Sequence, residues 1–406
     1  MTYTPPAEIL ERYASVLVNF ALGGGEGVKP GEVVRVVAPE SAKPLYAALN
    51  RAVWRAGGHV IGGFQPDDDD SINLSRDFYE LSSDEQLDRF PAHYMRGLVD
   101  EMDYQVSVIA ESDPHALDTV DPARIMRRGK SMSQLLDWRG EKENAGKFTW
   151  TLGLYGTPAM AAEAGMSEQE YWEQIIHACF LDSEDPLVNW REVGERLDRM
   201  RERLDALDIE RLHVVGEDAD LWIGLGEKRR WLGGRGRNIP SFEIFTSPDW
   251  RGTEGWIYCN QPLYRYGNLV KGVRLTFAEG RVTEASAEEN ERVLTEMIAT
   301  EGADRVGEFS LTDRRFSRIT RFMAHTLYDE NVGGAFGNTH IAVGRAYQDA
   351  YAGDPSELTP EQWEELGFNN STVHTDIVST TDRTVTAHLR GGEERVIYRD
   401  GEFQLD

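Results

Sequence analysis

Three carboxylates and two imidazoles between residues 243 and 376 could together hold a pair of divalent cations: Glu243, Glu308, His340, His374 and Asp376. His374 and Asp376 stand two apart in the stretch 370–376 (NSTVHTD). In an extended segment alternate side chains project to one side, so both can reach a single ion. His340 and Tyr347 are seven apart in 340–347 (HIAVGRAY). On a helix that is two turns along nearly one face, and the spacing predicts a helix over 341–351 presenting an imidazole and a phenol to one cavity. Glu243 (in FEIF) and Glu308 (in VGEF) sit in apolar frames, where a carboxylate is disfavoured unless paired or metal-bound. Each piece alone has an ordinary alternative: a surface His beside an Asp, a packed tyrosine, a glutamate turned outward by strand alternation. Together they form a mixed oxygen and nitrogen shell that suits Zn²⁺, Co²⁺ or Mn²⁺ with a bridging carboxylate and a shared water. The subset His340, His374 and Asp376 is also the two-His, one-carboxylate set of mononuclear Fe(II) oxygenases, which need neither Glu243 nor Glu308.

These residues must be positioned by elements of different kinds in the two halves of the chain. In the first half, the β-branched run 32–38 (EVVRVVA) follows Pro30 and Gly31, a turn signal. Leu45, Leu49, Ala52, Val53 and Ala56 then mark one helical face, Gly57 and Gly58 end it, and 59–64 (HVIGGF) is the next strand. That is a βαβ unit, which predicts a parallel sheet. Further strands are expected over 104–110 and 211–215, with helices around 167–177 and 190–207. The Gly- and Arg-rich stretch 224–240 reads as a linker or an active-site loop. Beyond it strands dominate, over 256–259, 269–277, 282–285, 384–389 and 395–399, with helices over 288–300 and 360–366, the last opened by Thr359 and Pro360. The fold class expected is α/β: an N-terminal α/β domain with a largely parallel sheet over 1–235, and a C-terminal mixed α+β domain over 236–406 that carries the metal site.

Composition excludes several classes of function. At 406 residues the chain exceeds the size at which one core usually divides, hence two domains. Acidic residues outnumber basic ones, 70 to 43, so the basic footprint of a nucleic-acid binder is missing. The excess charge reads as solubility, and the run from Asp67 to Asp70 as a solvated loop. No apolar run is long enough to span a bilayer, and the N-terminus lacks a secretory profile, so a cytoplasmic protein is expected. Cys179 and Cys259 form no CxxC or zinc-ribbon spacing and are expected to be buried and inert. Neither GxGxxG after a strand nor a phosphate-binding loop occurs. His59, His177 and His213 are expected to be structural, His325 to lie close to the site, and Arg229, Arg230, Arg235 and Arg237 to pair with the acidic surface.

The chain resembles the M29 metallo-aminopeptidase family, the aminopeptidase T/S type. The matching stretches are 231–234 (WLGG), 238–248 (NIPSFEIFTSP), Gly307 and Glu308, 326–331 (TLYDEN), 340–344 (HIAVG) on to Tyr347, and 370–376. The first half is similar too, at 150–155, 157–160 (TPAM) and 165–172 (GMSEQEYW), so the resemblance covers nearly the whole chain. It implies a homodimeric, two-metal exopeptidase acting on peptides with a free N-terminus. The family's metal ligands map onto Glu243, Glu308, His340, His374 and Asp376, and its suspected catalytic tyrosine onto Tyr347. Glu308 is the expected bridging and catalytic carboxylate, with Glu243 and Asp376 on one ion, His340 and His374 on the other. Tyr347 would donate to the tetrahedral oxyanion or pass a proton. The loop 331–339 (NVGGAFGNT) is longer and richer in glycine than the usual connection, a departure that bears on substrate preference.

Overall fold

The computed structural model describes residues 3–68, 71–234, 236–265 and 268–405. Two compact units make up the chain. One runs to Trp190 and takes in a short segment ending at Ile239; the other holds Arg191–Gly234 and Pro240 onward.

The first unit contains the predicted parallel sheet. Its strands run His59–Gln65, Val33–Pro39, Tyr104–Ile109, Thr149–Leu154 and Asn238–Ile239 in spatial order, every neighbouring pair parallel. Along Val33–Pro39 alternate residues Val34, Val36 and Ala38 are buried. The crossover helix Lys43–Arg55 returns its Leu45, Leu49 and Val53 to the core, as the βαβ reading expects.

The second unit is built on antiparallel pairing. An eight-stranded sheet runs Arg281–Ser286, Val273–Ala278, Glu254–Cys259, Ala219–Gly224, Ile209–Gly216, Arg383–Leu389, Glu394–Arg399 and Glu402–Phe403. The strand read above over 211–215 thus pairs antiparallel here, between Ala219–Gly224 and Arg383–Leu389. The strand expected over 269–277 is two: Gly272, at φ +63°, breaks it into Asn268–Val270 and Val273–Ala278. The helices expected over 288–300 and 360–366 are present as Glu291–Ile298 and Pro360–Glu365, the latter with a Thr359/Gln362 capping box.

A five-stranded sheet carries the site. Its order is His374–Ser379, Asn338–Gly344, Val306–Thr312, Glu243–Thr246 and Leu232–Gly233, all antiparallel. The helix expected over 341–351 is not there. His340–Gly344 belongs to a strand, and only a 3₁₀ turn at Gln348–Ala350 follows. The reason lies in burial. All seven residues of Asn338–Gly344 are buried on both faces, and a continuous apolar run carries no period that separates a core strand from a helix. β-branched Thr339, Ile341 and Val343 favour the strand, and Gly344, at φ +102°, ends it.

Among the described residues no helix is long and apolar enough to cross a membrane. Cys179 and Cys259 are free and buried, as expected. Asp67 and Asp68 accept hydrogen bonds from the backbone N–H groups of Ser41 and Leu74, while Asp69, Asp70 and Arg235 lie outside the described residues.

Candidate metal centre

Register places all five donors on one face of the five-stranded sheet. Residues directly opposite in an antiparallel pair point the same way, and so do residues two apart on a strand. Glu243 lies opposite Thr312, Ser310 opposite His340, Glu308 opposite Ala342, and Ala342 in turn opposite Asp376. His374 follows by the two-residue spacing read from the sequence. The reverse face is Ile244, Phe309, Leu311, Ile341, Val343 and Ile377, each essentially inaccessible. The donors therefore stand on a sheet whose back is solid core.

One irregularity aims the central carboxylate. The pairing of Val306–Thr312 with Asn338–Gly344 slips between Val306 and Glu308, leaving Gly307 as a bulge. Bulges bend a strand and redirect the next side chain. Only glycine fits there, because a Cβ at Gly307 would run into the carbonyl oxygens of Gly344 and Arg345.

The side-chain ends converge. His340 Nε2 lies 3.2 Å from Glu243 Oε2, 3.4 Å from Glu308 Oε1 and 3.8 Å from Asp376 Oδ1. His374 Nε2 lies 3.6 Å from Glu308 Oε2 and 3.5 Å from Asp376 Oδ1. Among the described residues, two triads have donor atoms mutually within 4.8 Å: Glu243, Glu308 and His340, and Glu308, His374 and Asp376. Glu308 is common to both. This grouping differs from the expected one, since each triad mixes carboxylates with one imidazole, and Glu243 and Asp376 fall in different triads. The trio His340, His374 and Asp376 is not such a group.

Further contacts hold the donors in place. Ser310 Oγ donates to Glu243 Oε2 at 2.7 Å, and His374 Nδ1 bonds the carbonyl oxygen of Arg345 at 2.7 Å. Tyr347 approaches from the loop after Gly344. Its ring meets His374 edge-on with centroids 4.9 Å apart and tilts against Phe245 at 5.7 Å, while its N–H donates to Ser247 Oγ. Tyr347 thus stands beside His374 and comes from a loop, not from a helix shared with His340.

Electrostatics mark the site as one built for positive charge. Glu308, Glu243 and Asp376 are 4–7 % exposed, and His340 1 %. Burial pushes Glu308 up to about 7; the bond from His340 opposes this and the charge of Glu243 adds to it. Burial works most strongly against the His374 imidazolium, yet Asp376 and Glu308 raise it to about 9. Burial likewise opposes charge on His340, but its bonds to Glu243 and Glu308 and nearby carboxylates carry it well above the ordinary value. For Asp376 burial is outweighed by His374, and its carboxyl stays below the usual range. Buried carboxylates at this density need paired or metal charge. Two carboxylates and an imidazole around each of two points, joined by a shared carboxylate, fit divalent cations.

Sequence reasoning missed one acidic residue of the site. Glu330, 6 % exposed, follows the short helix Thr326–Asp329. Its carboxyl is raised well above the ordinary value by burial and then by the charges of Glu243 and Asp376. The signal was present in 326–331, where an acidic pair follows Leu327 and Tyr328 directly. Its neighbour Asp329 is pushed by burial up to about 8 while accepting from the N–H groups of Met323 and His325. His325 caps this helix through Nδ1, and burial lowers it to about 4.

The remaining candidates are structural. Arg229 donates to the carbonyl oxygens of Ser247, Glu227 and Leu366, Arg230 to that of Asp349, and Arg237 pairs with Glu143. Two of the three thus bind backbone rather than the acidic surface expected. His213 stacks on Trp222, and His177 pairs with Asp182. His59, His177 and His213 take no part in the donor triads.

A sheet face of buried carboxylates and imidazoles, arranged as two triads around one glutamate, defines a metal-dependent enzyme. The thermophilic metalloprotease family (M29) matches residues 7–403, and the chain belongs to that family. Aminopeptidase T of Thermus thermophilus is 29% identical over 417 residues, covering 98% of this chain and 99% of the relative. Aminopeptidase PepS of Streptococcus thermophilus is 27% identical, covering 98% of each. Wild-type AmpT from Thermus thermophilus superposes with a TM-score of 0.80 at 28% identity, over 98% of this chain and 99% of that one. The 2,5-dihydroxypyridine dioxygenase of Pseudomonas putida shares the fold, with a TM-score of 0.52 at 14% identity, over 98% of this chain and 97% of that one.

Proposed function

We propose that the chain is a metallo-aminopeptidase that releases N-terminal residues from peptides with a free amino terminus, using two divalent cations. The observation that carries this reading is the sharing of Glu308 by both donor triads. Glu243 and His340 would hold one ion with it, His374 and Asp376 the other. Family membership and the names of the curated relatives support the same reaction. Zn²⁺, Co²⁺ and Mn²⁺ all suit the donor set.

Bound cations of this kind polarise a carbonyl and bring the pKa of a water towards about 7. The side chains do the rest. Glu308, shared by both triads, would hold the two ions at the spacing the water needs and is the carboxylate on which turnover should depend. The bond from His374 Nδ1 to Arg345 keeps Nε2 turned to the carboxylates. Tyr347, against His374, would donate to the oxygen that becomes negative as the carbonyl is attacked. The alternative, a mononuclear Fe(II) ring-cleaving dioxygenase, has a fold relative in its favour but uses neither Glu243 nor Glu308. A homodimer belongs to this reading and can be checked by light scattering.

The test is amino-acid release from a short unblocked peptide, with an N-acetylated control. Chelator-stripped protein is compared with protein resupplied with Zn²⁺, Co²⁺ or Mn²⁺. Cleavage of the unblocked peptide restored by metal is expected. No cleavage with any metal, and oxygen uptake with a dihydroxylated ring and Fe(II), would replace this reading with the dioxygenase.

A further inference from the structure

The glycine-rich loop 331–339 runs between two parts of the site. It leaves the short helix Thr326–Asp329, whose ends line a small cavity together with Glu330 and Asp376, and returns to the donor strand Asn338–Gly344. Its tip, residues 334–336, is exposed, while Val332, Gly337 and Asn338 are buried. One side chain closes the neck. Asn338, 0 % exposed, donates through Nδ2 to the carbonyl oxygens of Glu330 at 2.8 Å and Val332 at 3.1 Å. An amide nitrogen carries two hydrogens, and both are used there. Turning the amide over would set its oxygen against two carbonyl oxygens, so its surroundings fix which end is which. The other end, Oδ1, lies 3.4 Å from Nδ1 of His340. That oxygen only accepts, so Nδ1 is the donor. Nε2 of the same ring then faces Glu243 at 3.2 Å and Glu308 at 3.4 Å.

We propose that Asn338 is a positioning residue of the metal centre. Its amide oxygen holds His340 in the tautomer whose Nε2 coordinates, and its amide nitrogen ties that imidazole to the neck of the loop. The inference rests on the two-cation reading above and extends it to a residue outside the donor set. An imidazole that ligates through one nitrogen needs an acceptor on the other, which fixes the tautomer and the plane of the ring. The two imidazoles of this site obtain that acceptor differently. His374 uses a backbone carbonyl, that of Arg345, whereas His340 uses a side chain. Substitution can therefore remove the acceptor of His340 and leave that of His374 in place. A change at Asn338 then weakens the ion held by Glu243, Glu308 and His340, and spares the one held by Glu308, His374 and Asp376. The same amide grips Glu330 and Val332, so the loop's neck and the seat of one ion form a single unit.

The test compares wild type with two variants. Asn338→Leu keeps the volume and removes both ends of the amide, while Asn338→Asp keeps an oxygen toward Nδ1 and removes the donors to the loop. Zn²⁺ binding is followed by calorimetry and native mass spectrometry. Asn338→Leu should bind one of two ions on the order of tenfold to a hundredfold more weakly than wild type, and the other within about twofold. Asn338→Asp should hold both ions within about threefold of wild type. Proteolysis at the exposed tip 334–336 should quicken in both variants, and unchanged cleavage would overturn the tie to the loop. The tautomer is read on Zn²⁺-loaded wild type by long-range ¹H–¹⁵N NMR, which needs no variant to fold: the proton of His340 should sit on Nδ1. A proton on Nε2 would overturn the inference. So would two ions at wild-type affinity in Asn338→Leu, or equal weakening in both variants, which would leave the amide as a clasp of the loop alone. Should wild type bind no ion, the two-cation reading fails by that result. The inference is then decided on the metal-free proteins, where Asn338→Leu should lose a slowly exchanging Nδ1 proton that wild type shows.

Discussion

The Nδ1 of His374 bonds the carbonyl oxygen of Arg345 at 2.7 Å. A carbonyl only accepts, so Nδ1 carries the proton, and Nε2 faces Glu308 and Asp376 with its lone pair whenever the ring is neutral. Because the acceptor is backbone, this orientation survives any substitution of the Arg345 side chain. Arg345→Ala should leave metal affinity within about twofold of wild type. A loss of tenfold or more in a metal titration would show that the side chain, and not the carbonyl, is what matters.

Stoichiometry tests the grouping of the donors. Glu243→Ala removes a member of one triad and His374→Ala a member of the other, so each variant should bind one ion fewer than wild type. Glu308→Gln weakens both sites and should abolish turnover while thermal unfolding of the metal-free protein stays cooperative. Native mass spectrometry and calorimetry read the counts. Full stoichiometry in Glu243→Ala would dissolve the first triad, and near-normal turnover in Glu308→Gln would end the proposal for that residue.

The pH dependence has a definite sign. Glu308 is raised to about 7 and His374 to about 9, so the folded, metal-free protein holds both protons more tightly than the unfolded chain. Their contribution to stability is full below the unfolded values and is lost as pH rises through the folded ones. The Tm of the metal-free protein should therefore fall as pH rises from the ordinary values, 4.5 and 6.5, through about 7 for Glu308 and about 9 for His374. Metal binding needs both groups deprotonated, so metal affinity should rise over the same range. Unfolding curves with and without chelator check both trends. A metal-free Tm that climbs across this range contradicts the assignment.

Tyr347→Phe keeps the ring against Phe245 and His374 and removes only the hydroxyl. On the proposed role, kcat should drop on the order of a hundredfold with metal affinity unchanged. Full activity would reduce Tyr347 to packing.

Arg383 is 1 % exposed and reaches from the eight-stranded sheet to the site strand, with Nη1 donating to Thr339 Oγ1 at 3.0 Å and Nε to Asp218 Oδ1 at 3.2 Å. Arg383→Ala empties a buried site and leaves Asp218 with the bond from Thr381 but no guanidinium, and should cost about 3 kcal/mol in urea unfolding. A change under about 0.5 kcal/mol would mean that water replaces the guanidinium at no loss.

How much of this was legible in the residues differs by element. The βαβ unit was clear because turn glycines bracket each element and Val33–Pro39 alternates. The spacing of His374 and Asp376 was clear because a strand repeats every two residues, a period that needs no neighbours. The strand Asn338–Gly344 was misread because it is buried on both faces, and burial erases the period on which such a reading depends. The partition of the donors was also beyond reach. It depends on which strand lies beside which, and the strand of Glu243 joins the strand of Glu308 across the whole of residues 247–305. Glu330 was hidden for a different reason: an acidic pair after a helix looks like solvent-facing punctuation until the fold closes over it.

The bulge at Gly307 and the pleat of the four donor strands give the two halves of the site different freedoms. Inside the strands a single inserted residue would throw a donor through to the apolar face, so the donor set tolerates no change of length. The segment 313–337, which supplies Thr326, Asp329 and Glu330 to the cavity wall, is bound by no such rule. Loops of new length can redraw what the cavity admits while the chemistry beneath stays as it was. What the cavity admits is thus open to revision one loop at a time, above a donor face that the sheet keeps constant.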